Sequence, residues 1–219
     1  LWLIPSELKY ISSRMFKNNT LACYLFSIAV FISLILPSFF SEHMVLDGII
    51  YASISKNMAN GLGSFWNPYF STTFLSNFHG HPPLALGLQS LWFTIFESSI
   101  YIERFYSLTT YILTSYLIVL IWKEVTGKFN DGWIPMLFYF STTKIIWACS
   151  NNLLENTMNI FICLATLLYL RSVKNNSLLL ITLSGICLSF SFFTKGFVGL
   201  FVWYLPFLFY YFNKSKNNA

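Results

Sequence analysis

Groups that can move a proton or hold a phosphate are scarce in this chain of 219 residues, and they are concentrated. The stretch from Ser41 to Leu84 carries Glu42 and Asp47, two of the eight acidic residues, together with all three histidines, His43, His79 and His81. Beyond it stand the pair Glu103 and Arg104, then Glu155 and Lys195, each at the edge of an apolar run. A carboxylate such as Asp47 can take the proton of a hydroxyl nucleophile, whose own pKa lies far above 7. Arginine, lysine and histidine can meet a phosphate that gains charge as it leaves. His79 and His81 invite a zinc reading, but no third Cys, His or carboxylate stands at a recognisable spacing, so no metal ligand is assigned and a divalent ion stays an open alternative. No nucleophile elbow, phosphate-binding glycine loop or His-Glu-x-x-His pattern is present.

These groups sit in a chain whose composition demands a membrane. It is 56% apolar and 20% aromatic with 10% charged residues, where a soluble domain carries roughly 25% charged. The net charge of +5 comes from 13 basic and 8 acidic residues, and most of the basic ones flank apolar runs. That pattern suits lipid headgroups; no nucleic-acid partner is expected, because none of the basic clusters forms a face interleaved with aromatics. Cys23, Cys149, Cys163 and Cys187 lie in or beside apolar runs without paired spacing and read as small apolar side chains.

Apolar runs at 21–40, 103–122, 133–149, 156–170, 177–194 and 197–212 predict six crossings, since ~20 helical residues at 1.5 Å each span a hydrocarbon core of ~30 Å. The first run lacks a small-residue cleavage site and is read as an uncleaved span. Lys123 with Lys128, Arg171 with Lys174, and Lys214 with Lys216 mark every second gap, and Lys9, Arg14 and Lys17 precede the first run. The positive-inside rule puts these in the cytoplasm, so the 41–84 loop, the gap from Asn151 to Glu155 and the turn at Lys195 share the outer side. The run 84–96 is too short to cross, and Glu97 and Glu103 follow it. It reads as a helix lying at the membrane surface or re-entering it, which keeps the parity. Within the outer loop, Asp47 is placed to cap a helix from Gly48 to about Asn60 that Gly61 and Gly63 would end. Ile50, Ile54 and Met58 would give it an apolar underside in the interface.

Several motifs in this order have a familiar look: Asp47-Gly48-x-x-Tyr51-Ala52, Asn57-Met58-Ala59-Asn60-Gly61-x-Gly63, His81-Pro82-Pro83-Leu84, Glu103-Arg104-x-x-Ser107, Glu155-Asn156-Thr157 and Thr194-Lys195-Gly196. The set resembles the amino-terminal half of family 39 glycosyltransferases, polytopic enzymes of the GT-C fold related to protein O-mannosyltransferases and to the aminoarabinose transferases that modify lipid A. The resemblance covers residues 41–200. It implies an all-α polytopic membrane protein, a GT-C-like transmembrane helix bundle forming one domain, and transfer of a sugar from a polyprenyl-phosphate donor to a lipid, glycan or protein acceptor on the outer face. By the same resemblance Asp47 acts at the acceptor as the base, and His81, Arg104 and Lys195 stand on the donor-phosphate side, with Glu155, Tyr51 and His79 as further substrate contacts. The partners implied are the lipid-linked sugar and membrane lipids; no cofactor beyond that donor is assigned. A bacterial inner membrane is the expected location, and the chain is expected to be part of a longer protein.

Departures from the family pattern sharpen these expectations. Many relatives carry Asp-Glu where this chain has Asp47-Gly48; Glu42 is the nearest substitute carboxylate. His81 stands where bacterial relatives often have Lys, and Glu155 where the family usually has Asp. Plain alternatives stand beside each role: Asp47 as a helix cap, the two histidines as turn residues, Lys195 as a cation reaching for headgroups, Arg104 as half of a structural pair with Glu103 or Glu97, Glu155 as a solvated loop residue, and Tyr51, Trp66 and Tyr69 as an aromatic belt. A transporter or flippase for a lipid-linked substrate would show a polar path through the bilayer, and a scaffold would show no convergence. An enzyme requires Asp47, His81, Glu155 and Lys195 to meet at one cavity.

Overall fold

The structure, a computed structural model, describes residues 19–41, 44–96, 99, 101–204, 206–208 and 210–211. Glu42, His43 and Glu97, and the basic residues Lys9, Arg14, Lys17, Lys214 and Lys216, lie outside the described residues. The described chain is all α. It contains α1 (Thr20–Phe39), α2 (Leu46–Ala59), α3 (Leu84–Phe96), α4 (Ile102–Thr126), α5 (Trp133–Ser141), α6 (Thr143–Ser150), α7 (Leu154–Asn175) and α8 (Leu178–Lys195), followed by a 3-10 helix, Gly196–Tyr204. Helices α1, α4 and α7 and the apolar stretch Leu178–Leu208 are long and apolar enough to cross a membrane. The protein is therefore an all-α polytopic membrane protein.

The outward faces fit that solvent. On α1 only Ser27, Phe31 and Ile35 are buried, while Leu21, Leu25, Phe26 and Ile32 stand exposed, an arrangement water would penalise by ~25 cal/mol for each Å² of apolar surface. The inward residues form an aromatic stack: Phe31 lies 5.2 Å from Tyr111 and 4.7 Å from Phe140, ring centre to ring centre.

The run 133–149 is two helices rather than one. Thr142 is extended between α5 and α6, because its hydroxyl donates to the Phe138 carbonyl and that of Ser141 donates to Leu137. Side-chain hydroxyls that bond the preceding turn compete with helix continuation. Downstream, the chain doubles back at Gly196, whose φ is +72°. The following 3-10 helix packs so closely on α8 that a methyl group at Gly199 would overlap the Ser191 carbonyl.

Helix α2 differs from expectation in two ways. It begins at Leu46 with Val45 as its cap residue, so Asp47 is inside the first turn and is not the cap. Nor does its apolar underside simply rest in the interface: Tyr51 and Ile54 are buried with Ala85 and Leu86 of α3 and with Ala148, Leu153 and Leu154 at the α6–α7 corner. Gly61, with φ +77°, ends the helix as expected. Helix α3 occupies the short run at 84–96, packed between α2 and α4.

The bundle has two chemically distinct ends. At one, Glu124 of α4 receives Arg171 at 2.9 Å and Lys174 at 3.6 Å from the C-terminal end of α7, so α4 and α7 run parallel. The other end therefore holds the first turns of both helices, and with them α2 and the loop from Asn60 to Pro83.

Candidate active site

Four segments deliver polar groups to this second end. Helix α2 presents Asp47 and Tyr51 one turn apart. The loop before α3 contributes His81, the first turn of α7 contributes Glu155, and the last residue of α8 contributes Lys195.

Asp47 is exposed and makes no hydrogen bond or ion pair among the described residues. Its carboxylate benefits from the positive end of α2's dipole. Tyr51, 6% exposed, is wedged between rings: its centre lies 5.7 Å from that of His81 and 6.4 Å from that of Phe78, both edge to face. Burial, and then the negative charges of Asp47 and Glu155, push the Tyr51 hydroxyl up to about 12. It stays protonated at any physiological pH and can only donate to an anion. The His81 imidazole is pushed below its usual 6.5 by burial first and by Lys195 second, against the opposing pull of Glu155 and Asp47. Its ring is therefore neutral near pH 7, a single hydrogen-bond donor rather than a cation.

The cation of the site is Lys195, which is paired with Glu155; both side chains remain partly exposed, at 22% and 33%. One clamp holds α8's end near the loop: Trp66 meets Phe193 edge to face at 6.3 Å. The loop itself is stapled to α2 by the Asn57 amide, which donates to the carbonyls of Tyr69 and Phe70 at 3.2 and 2.8 Å.

Two expected members stand elsewhere. Arg104 is buried at 6% exposure, and its guanidinium donates to the Ser38 and Phe39 carbonyls at the C-terminus of α1. That placement satisfies carbonyls that a helix end leaves without partners, and it is the structural alternative with a helix end in place of Glu103 or Glu97. His79 is exposed and has no hydrogen-bond or ring partner among the described residues.

Other motif residues turn out to be struts. The Asn156 amide donates to Ser107 Oγ at 2.7 Å and to the Ala148 carbonyl at 2.8 Å, Ser107 donates to the Cys149 carbonyl, and Tyr106 shares a hydrogen bond with Thr157 at 2.7 Å. These bonds tie α4 to α6 and α7 below the site.

Sequence reasoning passed over Asn151 and Asn152. Asn151 Oδ1 accepts from the Val45 amide at 2.7 Å, and Asn152 Nδ2 donates to the Gly48 carbonyl at 3.4 Å. A methyl group at Gly48 would overlap the Asn151 carbonyl oxygen, so this corner has no room for the glutamate many relatives carry there. The only sequence signal was the Asn-Asn doublet at a helix junction, which reads equally well as an ordinary turn.

Among the described residues no three His, Cys, Asp or Glu groups gather as a metal site; the positive charge near Asp47 and Glu155 belongs to a lysine. Residues 80–217, well over half the chain, match the family model described as dolichyl-phosphate-mannose-protein mannosyltransferase. The match takes in His81, Arg104, Glu155 and Lys195, and begins after Asp47 and Tyr51. No curated protein and no solved structure matches the chain.

Proposed function

The chain belongs to the dolichyl-phosphate-mannose-protein mannosyltransferase family, and on that premise we propose that it moves a hexosyl or pentosyl group from a polyprenyl-phosphate carrier to an acceptor hydroxyl on the outer face of a bacterial inner membrane. Membership makes it a GT-C glycosyltransferase using lipid-linked sugar donors; the face, the carrier and the residue roles are the proposal. The observation that carries it is the meeting of Asp47, Tyr51, His81, Glu155 and Lys195, drawn from four segments, at one end of the bundle.

In the proposed reaction the acceptor oxygen attacks the anomeric carbon and the bond from that carbon to the carrier phosphate breaks. Asp47 takes the hydroxyl proton. The phosphate departs as a monoester with one more negative charge than the diester it was. Lys195 meets that charge, and the neutral His81 and the protonated Tyr51 each supply a hydrogen-bond donor, which strengthens as charge develops. Glu155 holds Lys195 in place before the donor arrives. Arg104 acts by fixing the end of α1 and does not touch the phosphate.

The test uses the full-length protein in vesicles with tritiated mannosyl polyprenyl phosphate, comparing the native chain with Asp47→Asn, which is nearly isosteric and removes the basic carboxylate. Transfer is expected to fall by about a hundredfold or more, with donor binding retained. Unchanged transfer by the Asn variant would remove Asp47 from the chemistry.

A further inference from the structure

We infer that Asn151 is a positioning residue for Asp47: it fixes where the first turn of α2 sits, and so where the carboxylate points, from the far side of the helix junction. The inference rests on reading Asp47 as the base.

Among the described residues Asp47 has no side-chain hydrogen bond or ion pair to anchor it. Its helix starts at Leu46 after the cap residue Val45, which offers no side-chain cap, so the first turn depends on external support for its free amides. Among the described residues that support comes from one place. The Asn151 side chain accepts the Val45 amide at 2.7 Å while its own amide donates to the Trp147 carbonyl at 2.8 Å. Asn151 is thus locked to α6 at one end and holds α2 at the other. Its main-chain oxygen also lies against the Cα of Gly48, and Asn152, in the left-handed conformation at φ +50°, bonds the Gly48 carbonyl.

Both asparagines are buried, at 9% and 3% exposure, so water does not readily replace these bonds. The same corner leads within four residues to Glu155, the partner of Lys195. A single rigid turn therefore sets the spacing between the acceptor side of the site, at Asp47, and the donor side, at Lys195. Misplacing a reacting group by about 1 Å can cost a hundredfold in rate, while binding of a phosphate held by Lys195 and His81 is unaffected.

The test follows from that split. In full-length protein, Asn151→Ala is expected to lower kcat for transfer from mannosyl polyprenyl phosphate by about tenfold or more, with the donor KM within about twofold. Gly48→Ala pushes the same first turn off the Asn151 main-chain oxygen and should show the same split. Hydrogen exchange supplies a readout independent of turnover. The peptide covering residues 44–49 should lose protection in Asn151→Ala, while peptides from α4 and α7 keep theirs; Leu46→Ala, on the exposed side of the same turn, should change neither measurement. If the Ala variant does not accumulate, Asn151→Gln, which keeps the amide but moves it by one methylene, is read in the same assays with the same expected split.

Unchanged exchange at 44–49 overturns the inference, as does lost protection with unchanged kcat. A rise in donor KM as large as the fall in kcat overturns it too, since it would mean general damage to the site. A native protein that transfers nothing counts against mannose as the sugar moved, and the exchange experiment then decides the role of Asn151 alone.

Discussion

Lys195 and Glu155 are paired across the ends of two helices, and the pair has opposite consequences for its two members. The leaving phosphate competes with Glu155 for the lysine. Lys195→Ala removes a charge-assisted hydrogen bond worth roughly 1.5–3 kcal/mol, so the donor KM should rise by about tenfold or more. Glu155→Gln removes the competitor and should lower the donor KM, provided the lysine stays in place. A rise in KM for both variants would mean that the pair acts only as a brace. His81 makes a second prediction, this one about pH. Its folded pKa lies below the ordinary 6.5, so the folded state prefers the neutral ring. The stability it contributes is present above pH 6.5 and is lost as pH falls through the lower folded value. Thermal unfolding in detergent should therefore fall on acidification below about pH 6.5, and the fall should be shallower in His81→Gln; parallel curves would refute the assignment. These side chains were visible in the sequence because each is a polar residue among apolar ones. Arg104 was equally visible and lies elsewhere: a motif fixes residue type and order, but which carbonyls a buried guanidinium meets depends on where α1 ends.

Helix-scale features were legible wherever the hydrophobic run was long or was stopped by glycine. Helix α1 fills the first apolar run, α3 lies at the short run 84–96, and α2 ends at Ala59, just before Gly61. Interruptions set by local competition were not legible. The break at Thr142 depends on hydroxyls turning back onto Phe138 and Leu137, and hydroxyl residues elsewhere in the bundle make such bonds without breaking their helices, as Thr166 does to Ile162. The start of α2 at Leu46 was missed for a related reason, since its support is Asn151, far away in sequence. The same level of organisation yields a stability prediction. Asn156 is 2% exposed and bridges Ser107 of α4 to the Ala148 carbonyl of α6. Asn156→Ala would leave that carbonyl buried without this amide, at a cost of about 1–3 kcal/mol. The loss should appear as a lower unfolding temperature, with the donor KM little changed in the protein that remains folded. A large rise in KM at unchanged stability would instead move Asn156 into the site.

At the scale of the whole molecule, the arrangement separates charge by end. Glu124, Arg171 and Lys174 gather at one end, and the Tyr24 hydroxyl donates to the Phe129 carbonyl at 2.9 Å, bringing the first turns of α1 to the same region. Asp47, His81, Glu155 and Lys195 gather at the other. Because α4 and α7 run parallel from the site to the basic end, the chain must cross back between them. The only helices available among the described residues are α5 and α6, individually too short to span at 1.5 Å per residue but together adequate. We propose that the broken pair counts as one crossing, which sets the site and the basic cluster in opposite compartments. This is testable with single cysteines placed in a background lacking Cys23, Cys149, Cys163 and Cys187. Thr73→Cys lies on the exposed loop at the site end, and Lys128→Cys on the exposed turn after α4. On the proposed topology, in which the positive-inside rule puts Lys123, Lys128, Arg171 and Lys174 in the cytoplasm, a membrane-impermeant maleimide should label position 73 and spare position 128 in intact cells, and the pattern should reverse in inverted vesicles. Labelling of both positions from one side would show that α5 and α6 do not complete a crossing. If that side is the one reached only in inverted vesicles, the sugar-transfer site lies in the cytoplasm too, against the proposed outer-face reaction.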